Sequence, residues 1–282
     1  MREDSQTTAR IRNTQPWAPF TWLARGARDM LAIGPLSLAH GLAVAWVAAA
    51  SLWFFHRWFW VLAGLASAFL VVAPVLATGL YALSRARARG EAADLALLRA
   101  TWTQWGSKRR SDPGSYWCLV RFGGLLGVAA AGWIMTSAAF VTAFAPAPVR
   151  EPVEFLKTVM LSEQGWVFET WLVLGGLMAA PIFASSVVTI PFLLDRHVRL
   201  KQAVLTSWLA VLANPVTMAV WASLLLLFVL VGFATFTLGL IVVVPLLGHA
   251  SWHAYRDLID AEHLPERLPK GQPKREPARS ER

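Results

Sequence analysis

The longest interval in this chain without an Asp, Glu, Lys or Arg runs from Gln202 to Tyr255, 54 consecutive residues. Four further charge-free intervals cover Gly34 to Phe55, Trp58 to Ser84, Phe122 to Val149 and Thr170 to Leu194. A bilayer core about 30 Å thick needs about 20 apolar helical residues to cross it. Each of the four shorter intervals therefore holds one span, and the longest holds two spans behind an interfacial lead-in. The segments are apolar around the whole helical circumference, whereas a soluble bundle needs polar outer faces. Charged residues make up 15% of the chain and hydrophobic ones 56%, against about 25% and about 45–50% in soluble domains. That balance excludes disorder for most of the chain and argues against an ordinary soluble enzyme.

The sequence thus predicts an all-α integral membrane protein. Six transmembrane helices, arranged as three helical hairpins, fall near 34–55, 59–83, 120–145, 170–194, 215–233 and 237–255. The last two separate at Gly232 to Gly239, where two Gly and two Thr suit a tight turn at the membrane surface. Residues 1–33 form a cytoplasmic N-terminal segment with an amphipathic helix from Phe20 to Ile33. Residues 34–256 form the transmembrane domain, and 257–282 a basic, Pro-rich, disordered cytoplasmic tail. Glu91 to Trp105 and Arg196 to Ala213 are also amphipathic and suited to the membrane interface. No small-residue cleavage site follows a short apolar region, so the first span reads as an uncleaved signal anchor. Gly123 and Gly127 are spaced for close helix packing. Pro74 to Arg85 and Pro245 to Arg256 share a pattern, which suggests that the outer two hairpins are related by duplication.

Orientation follows from the basic residues. Of 26 Lys and Arg, 22 fall on the side that holds both termini and three on the other, while Arg121 lies just inside the third span. By the positive-inside rule both termini are cytoplasmic. The net charge of +9 then reflects attraction to anionic lipid head groups and not a nucleic-acid partner. Trp53, Trp58, Trp60, Trp166 and Trp171 on the outer side, with Trp117, Trp208 and Trp252 on the inner side, form an aromatic belt. Glu151, Glu154, Glu163 and Glu169 on the outer loop match no Ca²⁺-loop spacing and read as solvated. Cys118 is the only cysteine, so no intramolecular disulfide forms.

Polar groups inside spans are costly and mark candidate sites. His249, Trp252, His253 and Arg256 recur at i, i+3, i+4 and i+7 and share one helical face. Tyr81 and Arg85 occupy the matching stripe of the second span. Asp195 and Arg196 end the fourth span, Asn214 precedes the fifth and Asp257 follows the sixth. All fall in one cytoplasmic layer. One reading is an interhelical hydrogen-bond network in which Asp195 and Asp257 pair with nearby Arg. The sharper reading is a metal or haem site using His40, His249 and His253, since imidazoles at i and i+4 can share a metal. It lacks an acidic third ligand at that spacing, and no cofactor is expected, haem or copper being the alternative.

The stretches Ser186 to Arg196, Ala203 to Ser207, Ala213-Asn214-Pro215 and Pro245 to Arg256, with Pro74 to Arg85, resemble a bacterial family of predicted integral membrane proteins, domain-of-unknown-function family 2189. The resemblance extends over roughly residues 20–260, and Gly-His-Ala-Ser-Trp-His-Ala-Tyr-Arg at 248–256 is its most specific stretch. It implies a bacterial inner-membrane location and supplies no activity. Some members carry a cytochrome c oxidase label, but this chain lacks the histidines, spread over many helices, of a haem–copper catalytic subunit. With no Walker sequence, nucleophile elbow or Cys-x-x-Cys pair present, three readings stand: a structural or accessory protein of a membrane complex, a small transporter or lipid-binding permease with a cytoplasm-facing polar site, and a haem or metal accessory protein of a respiratory oxidase.

Overall fold

A computed structural model describes residues 9–103, 117–162 and 165–267. The chain begins with a short strand, β1 (Arg10–Ile11), followed by α1 (Ala18–Ile33) and α2 (Pro35–Phe55). Gly34 between the two helices has φ of 68°, in the left-handed region that glycine tolerates. Pro35 then starts α2 at a position where its missing N–H costs nothing.

α3 (Phe59–Leu76) and α4 (Thr78–Ala88) follow as one long rod with a local break at Ala77. Pro74 cannot donate to the preceding turn, and the Thr78 hydroxyl donates to the Val75 carbonyl at 2.6 Å across the break. α5 (Leu95–Thr103) buries Leu98, and the rest of its predicted stripe at Trp105 lies outside the described residues. Then come α6 (Trp117–Phe144), the short α7 (Pro152–Phe155) running into a π-helical turn at Leu156–Met160, α8 (Trp166–Ser186) and α9 (Thr189–Asp195). Pro191 lies in the first turn of α9, so the break from α8 falls where its absent N–H is least costly. α10 (Leu200–Ala213), α11 (Pro215–Ala234), α12 (Leu240–Leu258) and the strand β2 (Ile259–Asp260) complete the fold.

Among the described residues, five helical stretches are long and apolar enough to cross a membrane: Pro35–Phe55, Phe59–Ala88, Trp117–Phe144, Trp166–Asp195 and Pro215–Ala234. Large apolar side chains stand exposed along them, including Trp46, Phe54, Val128, Leu177 and Leu227. Exposure of this kind calls for a lipid solvent. α12 occupies the sixth expected span. It is more polar because His249, Trp252, His253, Arg256 and Asp257 crowd its C-terminal half. The turn before it contains Phe236 and Thr237 at positive φ, and the buried Thr237 hydroxyl donates to the Ala45 carbonyl at 3.3 Å.

Burial is uneven along the bundle. α3 has no buried residue, yet nine consecutive residues of α4, Thr78 to Ala86, are buried, as is every residue of α9. These two helices converge on α12, whose C-terminal half is the centre of the main core with Trp22, Trp221, Phe192 and Tyr255. At the other end a smaller core of Val141, Val149, Val159 and Val167 packs under Phe59, Phe155 and Trp171.

Three expectations need correction. Residues 257–267 are not part of a disordered tail. Ile259 and Asp260 pair antiparallel with Ile11 and Arg10, and Ala261, Leu264 and Arg267 are buried. Residues 268–282 lie outside the described residues. Trp252 is not a belt anchor, being 2% exposed within the core. Gly123 and Gly127 do not form a close helix contact: a Cβ on Gly123 would meet Val75 at an ordinary 3.5 Å, and one on Gly127 would meet nothing within 4 Å. The close approaches lie elsewhere, at Gly26 against Ala250 and Gly41 against Ile241.

Candidate functional site

The end of the bundle that holds both chain ends contains two buried polar clusters, one on each side of α12. The first gathers around Asp29 of α1. The Ser84 hydroxyl donates to Asp29 Oδ2 at 2.7 Å, and His253 Nε2 lies 2.9 Å from the same oxygen. Arg87 Nε donates to Oδ1 at 3.0 Å. Ser84 has one proton to give, so it accepts from His249 Nδ1–H at 2.7 Å. Nε2 of the neutral ring then accepts from the Ser37 hydroxyl at 2.8 Å. Burial opposes ionisation of Asp29, but hydrogen bonds from His253 and Ser84 and the charge of His253 outweigh it and hold the carboxyl below its ordinary value. The Ser37–His249–Ser84–Asp29 chain has the order of a nucleophile relay. Ser37 is fully buried, out of reach of a substrate, so the chain acts as a lock between α1, α2, α4 and α12.

The second cluster surrounds Asp195 at the end of α9. Its carboxylate accepts from Arg89 Nη2 at 2.7 Å, Arg196 Nε at 3.0 Å and the Tyr255 hydroxyl at 2.8 Å. Arg85 donates to the Leu194 and Arg267 carbonyls. Beside this cluster lies a polar cavity of about 300 Å³. Arg85, Arg89, Arg196 and Arg256 line it with the indole of Trp252, and Asp195, Glu262 and Glu266 supply its acidic side. Among the described residues no acceptor meets the Trp252 Nε1–H.

A much larger apolar cavity of about 710 Å³ lies between α3, α8, α11 and α12. Phe69, Pro74, Ala180, Phe183, Met218 and Ala222 contribute to its wall. Tyr81 and Ser251 stand on its lining, one turn before Arg85 on α4 and one residue before Trp252 on α12. The two cavities therefore follow one another along the same two helices.

The sequence-derived candidates divide between these places. Arg85, Asp195, Arg196, Trp252 and Arg256 meet at the polar cavity, and Tyr81 reaches the apolar one. His249 and His253 turn toward Asp29 instead. Asp257 binds Arg25 at 2.9 Å and accepts from Trp22 Nε1 at 2.9 Å, fastening α1 to α12. Asn214 accepts from Thr14 N at 2.7 Å and donates to the Arg12 and Ala210 carbonyls, which ties the N-terminal segment to the α10–α11 corner. His40 Nδ1 lies 3.0 Å from the Leu36 carbonyl of its own helix. Both ring nitrogens of His249 are hydrogen-bonded, and no group of three or more His, Cys, Asp or Glu is placed to hold a metal among the described residues. In the loop between α6 and α8, Glu154 Oε2 accepts from the backbone N–H groups of Arg150 and Glu151. These bonds hold its carboxyl below the usual value, so it caps α7. Glu163 lies outside the described residues.

Asp29, Ser37, Ser84, Arg89, Tyr255, Glu262 and Glu266 escaped the sequence reading. Arg89 carried a signal as one of the topology-setting arginines, and Asp29 as an acid inside a basic amphipathic helix. Ser37 and Ser84 carried none.

The exposed apolar helices, the paired chain ends and the buried polar layer define a multi-pass integral membrane protein. Residues 61–195, from α3 to the end of α9, match the model of the DUF2189 family, described as predicted integral membrane proteins. The match takes in Ser84, Arg85, Arg89 and Asp195 and stops short of α12. No curated protein and no solved structure matches the chain.

Proposed function

We propose that this chain is a lipid-binding protein of the bacterial inner membrane, crossing it six times with both termini in the cytoplasm. The observation that carries the reading is the apolar cavity of about 710 Å³ between α3, α8, α11 and α12. That volume is within the range of about 300–1,000 Å³ typical of ligand sites. Its walls are almost wholly hydrocarbon, and the spans around it face lipid, so a lipid acyl chain is the ligand whose chemistry fits. A purely structural accessory role gives no reason for an apolar recess of this size that opens on the outside of the bundle. The hydrogen bonds already made by His249 and His253 weigh against a haem or metal carrier.

Topology supports the same reading. β1 and β2 pair directly, which favours residues 10–11 and 259–260 on one side of the membrane and an even number of crossings. Five helices qualify by hydropathy, and α12 is the candidate for a sixth crossing. The charge asymmetry supports a cytoplasmic position for the paired strands.

The test is native mass spectrometry of the full chain released from mild detergent. Phospholipid is expected to remain bound. Ala222→Trp and Ala180→Trp, which fill the cavity, are expected to lower the lipid-bound fraction at least fivefold while the protein still melts cooperatively. Lipid retention unchanged in both variants would defeat the proposal.

A further inference from the structure

The cavity beside Asp195 is distinct from the apolar one, and its donors have a particular chemistry. Four arginines, Arg85, Arg89, Arg196 and Arg256, line it together with Trp252. The indole N–H of Trp252 is buried, the residue being 2% exposed, and has no acceptor among the described residues. Buried polar groups in native proteins are nearly always hydrogen-bonded, so an unmet donor on a residue that lines a polar cavity leaves room for an acceptor that enters from outside.

The acidic groups on the cavity fall into two kinds. Asp195 is 1% exposed and is gripped at 2.7 and 3.0 Å. Glu262 and Glu266 are largely solvated, with side chains 68% and 47% exposed. They reach the arginines only at 3.3 Å to Arg256, 3.4 Å to Arg89 and 3.7 Å to Arg196. Charge-assisted bonds of full strength are about 2.7–2.9 Å long. Both glutamates sit on the segment after α12, and the Glu266 backbone bridges to Arg196. Each side chain can swing into water without dislodging the segment. Once they leave, Asp195 is the one carboxylate left on the cavity lining among the described residues.

We propose that this cavity binds a phosphate group, with Glu262 and Glu266 occupying its arginines until the ligand displaces them. A phosphate offers several oxygens to several donors at once, which the two loosely held carboxylates cannot do, and arginine forks suit it. The volume of about 300 Å³ admits a phosphate or a small phosphodiester head group. α4 and α9 prolong the apolar spans of α3 and α8, which sets the cavity at the membrane boundary. The phosphate can therefore arrive on an anionic lipid head group or free in solution.

Full-length protein in detergent is titrated with inorganic phosphate by calorimetry. Phosphatidylglycerol and phosphatidylcholine are compared in parallel by native mass spectrometry. Arg256→Gln and Trp252→Phe are expected to weaken binding roughly tenfold, and the double variant Glu262→Gln/Glu266→Gln to tighten it several-fold. Ala222→Trp is expected to leave phosphate binding unchanged, which separates this site from the apolar cavity. Should Trp252→Phe fail to fold, the opposite signs of Arg256→Gln and the glutamate pair still decide, since damage to the fold cannot tighten binding. Binding of both phosphate and phosphatidylglycerol identifies the phosphate group as the ligand. Phosphatidylglycerol alone identifies a lipid head group, and phosphate alone a soluble ligand. If neither binds, or if binding ignores both sets of variants, the proposal is overturned.

Discussion

Asp29 shows how much a single acid can organise in a chain poor in charge. It lies on α1, outside the spans, and collects Ser84, His253 and Arg87 from two other helices. Because its folded carboxyl titrates below the ordinary value, the folded state favours the ionised form. The stabilisation is therefore fully present above the unfolded carboxyl pKa of about 3.9 and is lost as pH falls through the lowered folded value. Asp29→Asn is expected to lower the melting temperature in detergent at pH 7. The gap to the parent protein should close as the pH is taken below about 3.9. Melting curves from about pH 2.5 to about pH 7.5 check this. A gap that stays constant across the series would show that Asp29 contributes by packing alone. The local sequence marks Asp29 only as an acid inside a basic amphipathic helix, because its three partners lie 55 or more residues away in the chain.

At the scale of elements, the helices were legible and their contacts were not. Charge-free length predicted α2, α6, α11 and α12 to within a few residues, and read the broken rods α3–α4 and α8–α9 as single helices. The proline signals acquire a tertiary meaning only in the fold. Pro245 in α12 leaves the Ile241 carbonyl without its intrahelical donor, and Gly41 of α2 packs directly on that carbonyl. The spacing of Gly123 and Gly127 looked like a packing motif, yet Gly123 makes only ordinary contact with Val75 and Gly127 faces open space. A glycine pair says that a close approach is sterically allowed, whereas only the opposing backbone makes one. Gly41→Ala forces a Cβ into the Ile241 backbone and is expected to cost about 1–3 kcal/mol, the range for overpacking. Gly127→Ala should leave stability unchanged within about 0.5 kcal/mol, as substitutions away from packed features do. Denaturant or thermal unfolding of the two variants side by side would contradict this contact map if Gly127→Ala proved the more damaging.

For the whole molecule, the stripe His249, Trp252, His253 and Arg256 was visible in the sequence, but its division was not. Residues one step apart on a helix point about 100° apart, so Trp252 and His253 face different neighbours, and Ser84 and Arg85 on α4 divide in the same way. One predicted polar layer thus became two clusters, a lock around Asp29 and an arginine-lined cavity around Asp195. The chain ends close the structure over both. Arg12 pairs with Asp260 at 3.2 Å, and hydrogen bonding from Arg12 keeps the Asp260 carboxyl below its usual value. This ribbon turns the number of crossings into a parity question. Hydropathy alone counts five helices and would send the termini to opposite sides, whereas the β1–β2 pairing fits the proposed sixth crossing by α12. Reporter fusions decide the matter. A fusion active only in the cytoplasm is expected to work at both the N-terminus and the C-terminus, while one placed in the 235–239 turn is expected to need export. Opposite signals from the two termini would mean that α12 does not cross and that β1 and β2 do not pair in the membrane-embedded protein.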